Sequence, residues 1–327
     1  MLRQGKRLLV CALAFLALGP ALAQQDATVE QPAVADDEII PGFEQQFVID
    51  RSDRMTVPVS INGSITYPFI VDTGAERTVI ATDLAKTLKL EQGPQLKLAT
   101  ITGAAFADSY MIENLKMNSI NVELIEAPGL ERSNLGAYGL LGIDSLEEHK
   151  VLLDFKNSKM DVLPSKRKSK LGKLERGMIV VTAKRRAGRM ILSDAEVGGV
   201  KVDIILDTGA QSTMGNNALR DRLRKRDLRF DFVPVQLRSV TGDFLTGEFT
   251  QVRDIAIGGV SISDLPVTFA DNYAFTALKL DRKPAILLGM DALKLFDRVM
   301  VDFANRRVGF DLPKGAGTRT GIQLAMN

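Results

Sequence analysis

The chain has 327 residues, 45% of them hydrophobic, which is enough for about two domains of ordinary size and excludes a disordered or fibrous protein. Its formal net charge of +2 at pH 7 gives no reason to expect nucleic acid binding. One cysteine, Cys11, and one histidine, His149, argue against a disulfide framework, a cysteine or histidine zinc site and a Ser-His-Asp triad.

Residues 1–23 have the pattern of a secretory signal peptide. Arg3, Lys6 and Arg7 precede an apolar run over residues 8–18, and Ala21-Leu22-Ala23 is a small-x-small cleavage motif. We therefore expect an exported protein, periplasmic or secreted, without stable membrane insertion after cleavage. An uncleaved anchor is the alternative, but the run is shorter than the ~20 residues that span a bilayer. Cleavage would remove the cysteine and three of the 42 Lys and Arg residues, leaving 39 against 40 acidic ones.

Composition and pattern divide the chain into six segments. The segment after the signal peptide is acidic and has no periodicity, which predicts disorder, with a pro-segment that covers the site as the alternative. The basic linker is expected to be a solvated connector, with proteolytic clipping or attraction to an anionic envelope as alternatives. The predicted segments are a signal peptide (1–23), a disordered leader (24–42), a first lobe (43–164), a basic linker (165–176), a second lobe (177–313) and a loose tail (314–327).

The first lobe is predicted to consist mainly of strands. Asn62-Gly63 between two β-rich runs is a strong hairpin signal, and the second run leads through Phe69-Ile70-Val71 to Asp72 at a turn. The other predicted elements are a short helix (83–90), a hairpin with its tip at Thr102-Gly103, further strands (112–127), a helix that starts near 143 and ends beside a solvated His149, and a last hairpin (150–163).

The second lobe repeats these landmarks in the same order. Ile204-Ile205-Leu206 leads to Asp207, Thr241-Gly242 matches Thr102-Gly103, and Leu287-Leu288-Gly289 matches Leu140-Leu141-Gly142. The ordered matches indicate an internal duplication of roughly 125–135 residues, which is longer than a solenoid repeat and implies paired lobes. The second lobe differs by an exposed helix predicted over 219–229, with two leucines facing inward.

Both halves carry Asp-Thr-Gly-Ala directly after an apolar strand, starting at Asp72 and at Asp207. A buried acid is costly unless its charge is used or paired, so two copies suggest that the acids meet. Adjacent carboxyls share one proton. The ionised member can take a proton from a water between them, while the protonated member donates to a substrate carbonyl oxygen. This predicts amide hydrolysis with no cofactor, no metal and no covalent intermediate.

The residues beside the two acids suit this chemistry. Gly74 and Gly209 permit a tight turn and close backbone approach, and the hydroxyls of Thr73 and Thr208 can reach the backbone of the other lobe. These four residues are the predicted support of the two turns.

Further residues are candidates for contacts with a substrate. The tips Thr102-Gly103 and Thr241-Gly242 could fold over an extended peptide and exclude water. Glu76 and Gln211 are candidates for contacts with the substrate backbone or, equally, for pairing with Arg77 or another nearby arginine.

The stretch Asp-Thr-Gly-Ala-Glu-Arg-Thr-Val-Ile at 72–80, the Thr-Gly hairpin and the Leu-Leu-Gly-Ile-Asp stretch that ends at Asp144 resemble the retropepsin-like aspartic proteases. The second lobe resembles them again. The resemblance implies a mainly β fold with few short helices, built as two homologous closed-barrel lobes related by a pseudo-twofold axis, in which Asp72 and Asp207 are catalytic. It also implies that Gly142 and Gly289 pack beneath the two turns.

Many proteins of this kind have one lobe and dimerise, whereas this chain has both, so we expect a monomeric pseudo-dimer rather than a homodimer. The predicted function is that of an aspartic endopeptidase acting on peptide or protein substrates. The alternative is a non-catalytic peptide-binding module that retains the fold. Asp144 and Asp291, at the starts of two short helices, are predicted to be helix caps.

Overall fold

Strands dominate the part of the chain that the computed structural model describes, and its helices are short. The predicted leader, Thr102 and most of the predicted tail lie outside that part. The described residues are 9–10, 16–18, 56–100, 103–117, 120–168, 170, 172, 175–186, 188–227, 231–239, 241–314 and 322–324.

The bounds of the elements follow the predicted order along both lobes. The strands are β1 (Leu9–Val10), β2 (Leu16–Leu18), β3 (Thr56–Ile61), β4 (Thr66–Val71), β5 (Val79–Ala81), β6 (Gln92–Thr100), β7 (Gly103–Met117), β8 (Ile120–Leu130), β9 (Gly139–Leu141), β10 (His149–Asp154), β11 (Lys159–Pro164), β12 (Ile179–Thr182), β13 (Lys184–Arg186), β14 (Arg189–Leu192), β15 (Ala195–Val197), β16 (Val200–Lys201), β17 (Asp203–Leu206), β18 (Met214–Gly215), β19 (Val233–Arg238), β20 (Phe244–Ile257), β21 (Val260–Phe269), β22 (Ala285–Leu288), β23 (Arg298–Asp302), β24 (Arg307–Asp311) and β25 (Ile322–Leu324). The helices are α1 (Thr82–Thr87), α2 (Arg132–Leu135), α3 (Ile143–Leu146), α4 (Asn217–Arg226), α5 (Tyr273–Ala277) and α6 (Met290–Leu293).

The first lobe is a closed barrel. Its sheet has the order β1-β6-β7-β3-β4-β9-β5-β8, and β8 also pairs with β7, so that the strands from β7 to β8 form a ring. The hairpin predicted at Asn62-Gly63 joins β3 to β4, and both turn residues have positive φ, 49° and 78°. This is the conformation that an Asn-Gly hairpin turn requires.

The second lobe has a sheet with the main order β13-β14-β17-β22-β18-β21-β20-β15-β16. Its central strand β17 runs parallel to β22, as β4 runs parallel to β9 in the first lobe. The predicted exposed helix is α4, which buries Leu219 and Leu223 and leaves its charged residues outside. The two lobes therefore place an apolar strand, and the acid that follows it, in equivalent positions.

A third sheet joins the lobes. Its antiparallel strands have the order β11-β10-β23-β24-β12, so that β10 of the first lobe pairs directly with β23 of the second. Val151 and Val301 lie opposite each other at the centre of this pairing and are both fully buried. Backbone hydrogen bonds and a shared apolar core thus hold the lobes together.

Three segments differ from the sequence predictions. His149 is the first residue of β10 and is half-buried rather than solvated at a helix end, and burial lowers its pKa. Glu175, in the linker that was expected to be solvated, is buried and forms an ion pair of 2.8 Å with Lys150. Residues 322–324 of the expected loose tail form β25, which pairs with β21. These contacts are long-range, so local composition does not indicate them.

Two short strands lie in the predicted signal peptide. β1 pairs with β6, and β2 pairs with β19. Cleavage of this segment stays a prediction. Among the described residues, no helix combines the length and the apolar character that crossing a bilayer requires.

Candidate active site

Two equivalent turns follow the central strands of the lobes. We call them the first Asp turn (Asp72–Ala75) and the second Asp turn (Asp207–Ala210). The N–H of Asp72 donates to the carbonyl of Leu141 at 2.9 Å, and that of Asp207 donates to Leu288 at 3.1 Å. The parallel partner strands β9 and β22 therefore fix where each acid leaves its sheet.

The carboxylates of the two turns are buried in the same way. Oδ1 of Asp72 accepts hydrogen bonds from the N–H groups of Gly74 and Ala75 at 2.8 and 3.0 Å, and Oδ1 of Asp207 accepts the equivalent pair in its own turn, both at 3.0 Å. Asp72 is 0% exposed and Asp207 is 1% exposed. Oδ2 of each acid is buried and has no hydrogen-bond partner in the described part of the chain. Each turn thus holds one oxygen and leaves the other available.

The two acids face each other across the lobe boundary. A methyl group on Gly74 would overlap the carboxylate of Asp207, and one on Gly209 would overlap the carboxylate of Asp72. Only glycine allows this approach from both sides. The structure therefore brings together the two acids that lie 135 positions apart in the sequence.

Two threonine hydroxyls tie the Asp turns together. The hydroxyl of Thr73 donates to the carbonyl of Leu206 at 2.9 Å, and that of Thr208 donates to Val71 at 2.6 Å. Each hydroxyl also accepts the N–H of the other threonine at 3.1 Å. These are the cross-lobe hydrogen bonds that the sequence predicts for Thr73 and Thr208.

The two Leu-Leu-Gly segments lie beneath the turns, as the family resemblance implies. The N–H of Gly142 donates to the hydroxyl of Thr78 at 3.1 Å, and that of Gly289 donates to Thr213 at 3.1 Å. A side chain on Gly142 would overlap the backbone at Arg77 and at Thr78. The glycines are therefore required for close packing rather than for chemistry.

Asp144 and Asp291 secure the same threonines, and each also accepts one N–H in the first turn of its own helix, from Ser145 at 2.8 Å and from Ala292 at 2.7 Å. The carboxylate of Asp144 accepts the N–H and the hydroxyl of Thr78 at 2.9 and 2.8 Å, and Asp291 accepts those of Thr213 at 2.9 and 2.6 Å. The N-caps of α3 and α6 are glycines without a side-chain cap. The acids thus bind their own helix starts from within the first turn rather than from the N-cap position, and local spacing did not indicate the partners that lie 66 and 78 positions away.

Arg189 is a further residue of the site, and the sequence predictions missed it. It is 2% exposed, its Nε donates to the carbonyl of Gly74 at 2.7 Å, and its Nη1 lies 3.7 Å from Oε1 of Glu76. A signal was present in the sequence, since the dipeptide Arg-Met recurs 18 positions before each acid, at 54–55 and at 189–190.

The residues after the two Asp turns differ in their contacts. Glu76 pairs with Arg189 rather than with Arg77, whose Nη1 lies 3.2 Å from the carboxylate of Glu126. Gln211 is 4% exposed, and neither atom of its amide has a hydrogen-bond partner among the residues that the structure describes. One lobe thus carries an ion pair at this position and the other carries a neutral amide.

The hairpin tips are built around glycines with positive φ. Gly103 has φ 141° and Gly242 has φ 92°, values that favour glycine. The hydroxyl of Thr100 donates to the carbonyl of Gly103 at 3.1 Å, and the N–H of Gly242 donates to Ser239 at 3.0 Å. These hydrogen bonds stay within each hairpin, so contact of Thr241 and its neighbours with a substrate stays a prediction. Thr102 lies outside the described residues.

Burial raises the pKa of both acids. For Asp72, burial and then the negative charge of Asp207 raise the pKa well above its usual value. For Asp207, burial raises the pKa to about 6, and the positive charge of Arg189 and the N–H of Ala210 limit the rise. The two groups titrate as a pair.

Comparisons with known proteins find protease families in both lobes. Residues 57–148 match the family "gag-polyprotein putative aspartyl protease", and residues 193–292 match the family "Aspartyl protease". A structural match is the retropepsin-like aspartic protease from Rickettsia conorii, with 20% identity, coverage of 41% of this chain and 90% of that chain, and a TM-score of 0.28. No curated protein matches the chain. Each family match contains one Asp turn.

Proposed function

Because both lobes match aspartyl protease families, we propose that the chain is a retropepsin-like aspartic protease, an endopeptidase that hydrolyses peptide bonds with a water held between Asp72 and Asp207. One observation carries the proposal. Two fully buried carboxyls face each other, each with one oxygen bound by its own turn and the other without a partner. Such a pair is costly to fold, and it has the groups that water activation requires.

The pKa directions assign a role to each acid. The positive charge of Arg189 is the largest of the influences that lower the pKa of Asp207, so we assign to Asp207 the role of the general base that takes a proton from the water. Asp72 holds the shared proton and donates it to the carbonyl oxygen of the scissile bond. The water oxygen forms a bond to the carbonyl carbon, which gives a tetrahedral diol. Asp207 then gives its proton to the amide nitrogen while Asp72 takes a proton from a hydroxyl of the diol, so that the C–N bond breaks, a carboxylic acid and an amine form, and the pair returns to its starting state.

We propose peptide or protein substrates in extended conformation. The tips at Gly103 and Gly242 supply backbone groups on either lobe, and an extended chain offers one N–H and one C=O at each residue. A single chain supplies both acids, so we propose that the monomer is the active form. Activity per chain that does not change on dilution would support this, and activity that falls steeply on dilution would point to a homodimer.

The sequence pattern of residues 1–23 supports a further proposal, that the protein is exported to the periplasm or secreted. Cell fractionation with mass spectrometry of the purified protein tests it. The expected result is an N-terminus at Gln24 in an exported fraction. An intact N-terminus in the membrane fraction would favour an anchored protein instead.

The proposed activity is tested with a mixed peptide library over acid to neutral pH, with and without a pepstatin-type inhibitor. Asp72→Asn and Asp207→Asn should each abolish cleavage, because either change removes a proton from the shared cycle. Asp161→Asn is the matched control, since Asp161 is an exposed acid on β11 and should leave cleavage unchanged. Undiminished cleavage by Asp72→Asn would sink the proposal, and folded wild-type protein that binds peptides without cutting them would favour the binding module.

A further inference from the structure

We propose that the larger of two basic pockets of this chain binds a ligand that carries a phosphate group. The larger, which we call the linker pocket, is a cavity of about 440 Å³ between the basic linker and the turn that joins β23 to β24. Its cationic lining consists of Arg167, Lys168, Arg185, Arg306 and Arg307, against one carboxylate, Glu147.

The smaller cavity, which we call the hairpin pocket, measures about 310 Å³ and lies along β13. Its cationic lining consists of Lys184, Arg185, Arg186 and Lys283, against one carboxylate, Asp203. Arg185 belongs to the lining of both cavities. They are separate from the Asp turns, since no residue of either turn lines them.

The two pockets concentrate positive charge. Counting Arg185 once, they hold eight cationic side chains and two carboxylates, whereas the whole chain has a formal net charge of only +2. The rest of the chain is therefore net acidic. Like charges gathered in a concavity repel one another and focus an attractive field on anions. In the linker pocket the cations of the linker lie around the same cavity as Arg185 of the β13 hairpin. A fully solvated linker would not require this arrangement.

Several of these cations are available for a ligand. Arg185 is held by an ion pair with Glu147, and Arg186 donates to the carbonyl of Leu278 at 3.0 Å. By contrast, three side chains of the linker pocket form no ion pair with a carboxylate in the described part of the chain. They are Arg167, Lys168 and Arg306.

The walls of the linker pocket are held in place before any ligand binds. The amide of Asn305 donates to the hydroxyl of Ser165 and to the carbonyl of Lys166, both at 3.1 Å, and Ser165 donates to Asp302 at 2.8 Å. These bonds fix the linker against the turn that carries Arg306. Preorganised cations lose less conformational entropy when they bind an anion.

The chemistry of the lining selects phosphate. Arginine presents a planar fork of N–H donors that binds phosphate oxygens in pairs, and lysine adds a point charge. A discrete basic cavity suits a compact phosphate group rather than the continuous track of a nucleic acid strand. The phosphate can come from a soluble polyphosphate or from a phosphorylated lipid headgroup.

The test measures binding by the full chain, with calorimetry for tripolyphosphate and co-sedimentation for phosphatidylcholine vesicles with and without phosphatidic acid. The key variant is Lys168→Gln/Arg306→Gln, two exposed positions in the linker pocket. Its control is Lys86→Gln/Lys116→Gln, which removes two exposed cations outside both pockets. The pocket variant should lose about tenfold or more in affinity, as expected for lost charge-assisted hydrogen bonds, and the control should bind like the wild type.

Each outcome decides the matter. Tripolyphosphate binding that the pocket variant loses supports a soluble ligand, and vesicle binding that the pocket variant loses supports a lipid headgroup. No binding in either arm, equal losses in both double variants, or equally tight binding of a single-stranded oligonucleotide would overturn the proposal. Asp207→Asn should keep full binding, so the result is independent of the proposed proteolysis.

Discussion

Gly74 of the first lobe packs against the carboxylate of Asp207 in the second lobe, and Gly209 packs against Asp72 in return. Each turn therefore supplies an acid and also leaves the space that the other acid occupies. This reciprocal packing explains why Asp-Thr-Gly recurs as a unit in both halves. An acid without the opposing glycine would have no room beside it, and a glycine without the acid would leave a buried void.

The first prediction concerns this packing. Gly209→Ala should lower kcat/KM on the order of 100-fold, because a methyl group would push the Asp72 carboxyl out of line with its partner, and small displacements at a reacting centre have effects of that size. The free energy of unfolding should also fall by about 1–3 kcal/mol from overpacking. Peptide cleavage assays and urea unfolding measure the two effects.

A second glycine variant serves as the control. A Cβ at Gly259 would meet only a methyl group of Ile179 at 3.9 Å, so Gly259→Ala should change neither activity nor stability appreciably. Wild-type cleavage rates in Gly209→Ala would show that the two turns are not packed as described.

The second prediction is that Asp72→Asn stabilises the protein as pH rises. The folded-state pKa of Asp72 is raised above its usual value by burial and by Asp207, so the folded protein binds more protons than the unfolded chain between about pH 4 and that raised pKa. Stability of the wild type is therefore full below about pH 4 and falls as pH increases through this window. The variant cannot ionise here and should gain on the order of 1–3 kcal/mol near neutral pH.

Urea unfolding at several pH values between acid and neutral measures the difference in the free energy of unfolding between Asp72→Asn and the wild type. Asp161→Asn again provides the comparison, because an exposed acid should give a small difference that does not grow with pH. If the gain in the free energy of unfolding of Asp72→Asn stays constant or shrinks as pH rises, ionisation of the buried pair does not destabilise the protein and the prediction is wrong.

The third prediction concerns Arg189 and the pH dependence of cleavage. The rate should follow a bell-shaped curve, with an acidic limb near pH 6 and an alkaline limb at higher pH, which report the first and the second ionisation of the coupled pair. Arg189→Met removes the positive charge that lowers the pKa of both acids. The acidic limb of kcat/KM should then move to higher pH.

Arg189→Lys distinguishes charge from structure. Lysine keeps a positive charge but cannot reproduce the Nε hydrogen bond to Gly74. The acidic limb of the pH–rate curve of Arg189→Lys should therefore stay close to that of the wild type, even if the free energy of unfolding falls. If both variants show the same limb as the wild type, Arg189 is only a structural link between the lobes. Peptide cleavage as a function of pH gives the answer.

The fourth prediction concerns the threonine hydroxyls between the lobes. Thr208→Val keeps the shape but leaves the carbonyl of Val71 and the N–H of Thr73 buried without their partner. Each buried orphan group costs about 1–3 kcal/mol, so the free energy of unfolding should fall by a few kcal/mol and cleavage should weaken. Thr208→Ser keeps the hydroxyl and should restore most of both. Equal stability of the valine and serine variants would show that these hydrogen bonds contribute little.

Some features follow from local sequence. The Asn-Gly hairpin, the short helix near residue 83, the tips at Gly103 and Gly242 and the two inward leucines of α4 depend on nearest neighbours and on periodicity, and the structure confirms them. The ordered repeat placed one acid in each half. Arg189 escaped notice because its contacts lie 113 and 115 positions away, at Glu76 and Gly74.

The sequence alone determined that two equivalent β lobes each end a buried strand at an acid, because that information is carried by short motifs and by their repetition. Which groups the two acids face is set by the tertiary structure. It paired β10 with β23 and seated each glycine against the opposite carboxylate. It also buried Arg189 beside the pair and gathered the cations of the linker and the β13 hairpin around two cavities. Those relationships join residues that are remote along the chain, and close packing rather than local preference sets them.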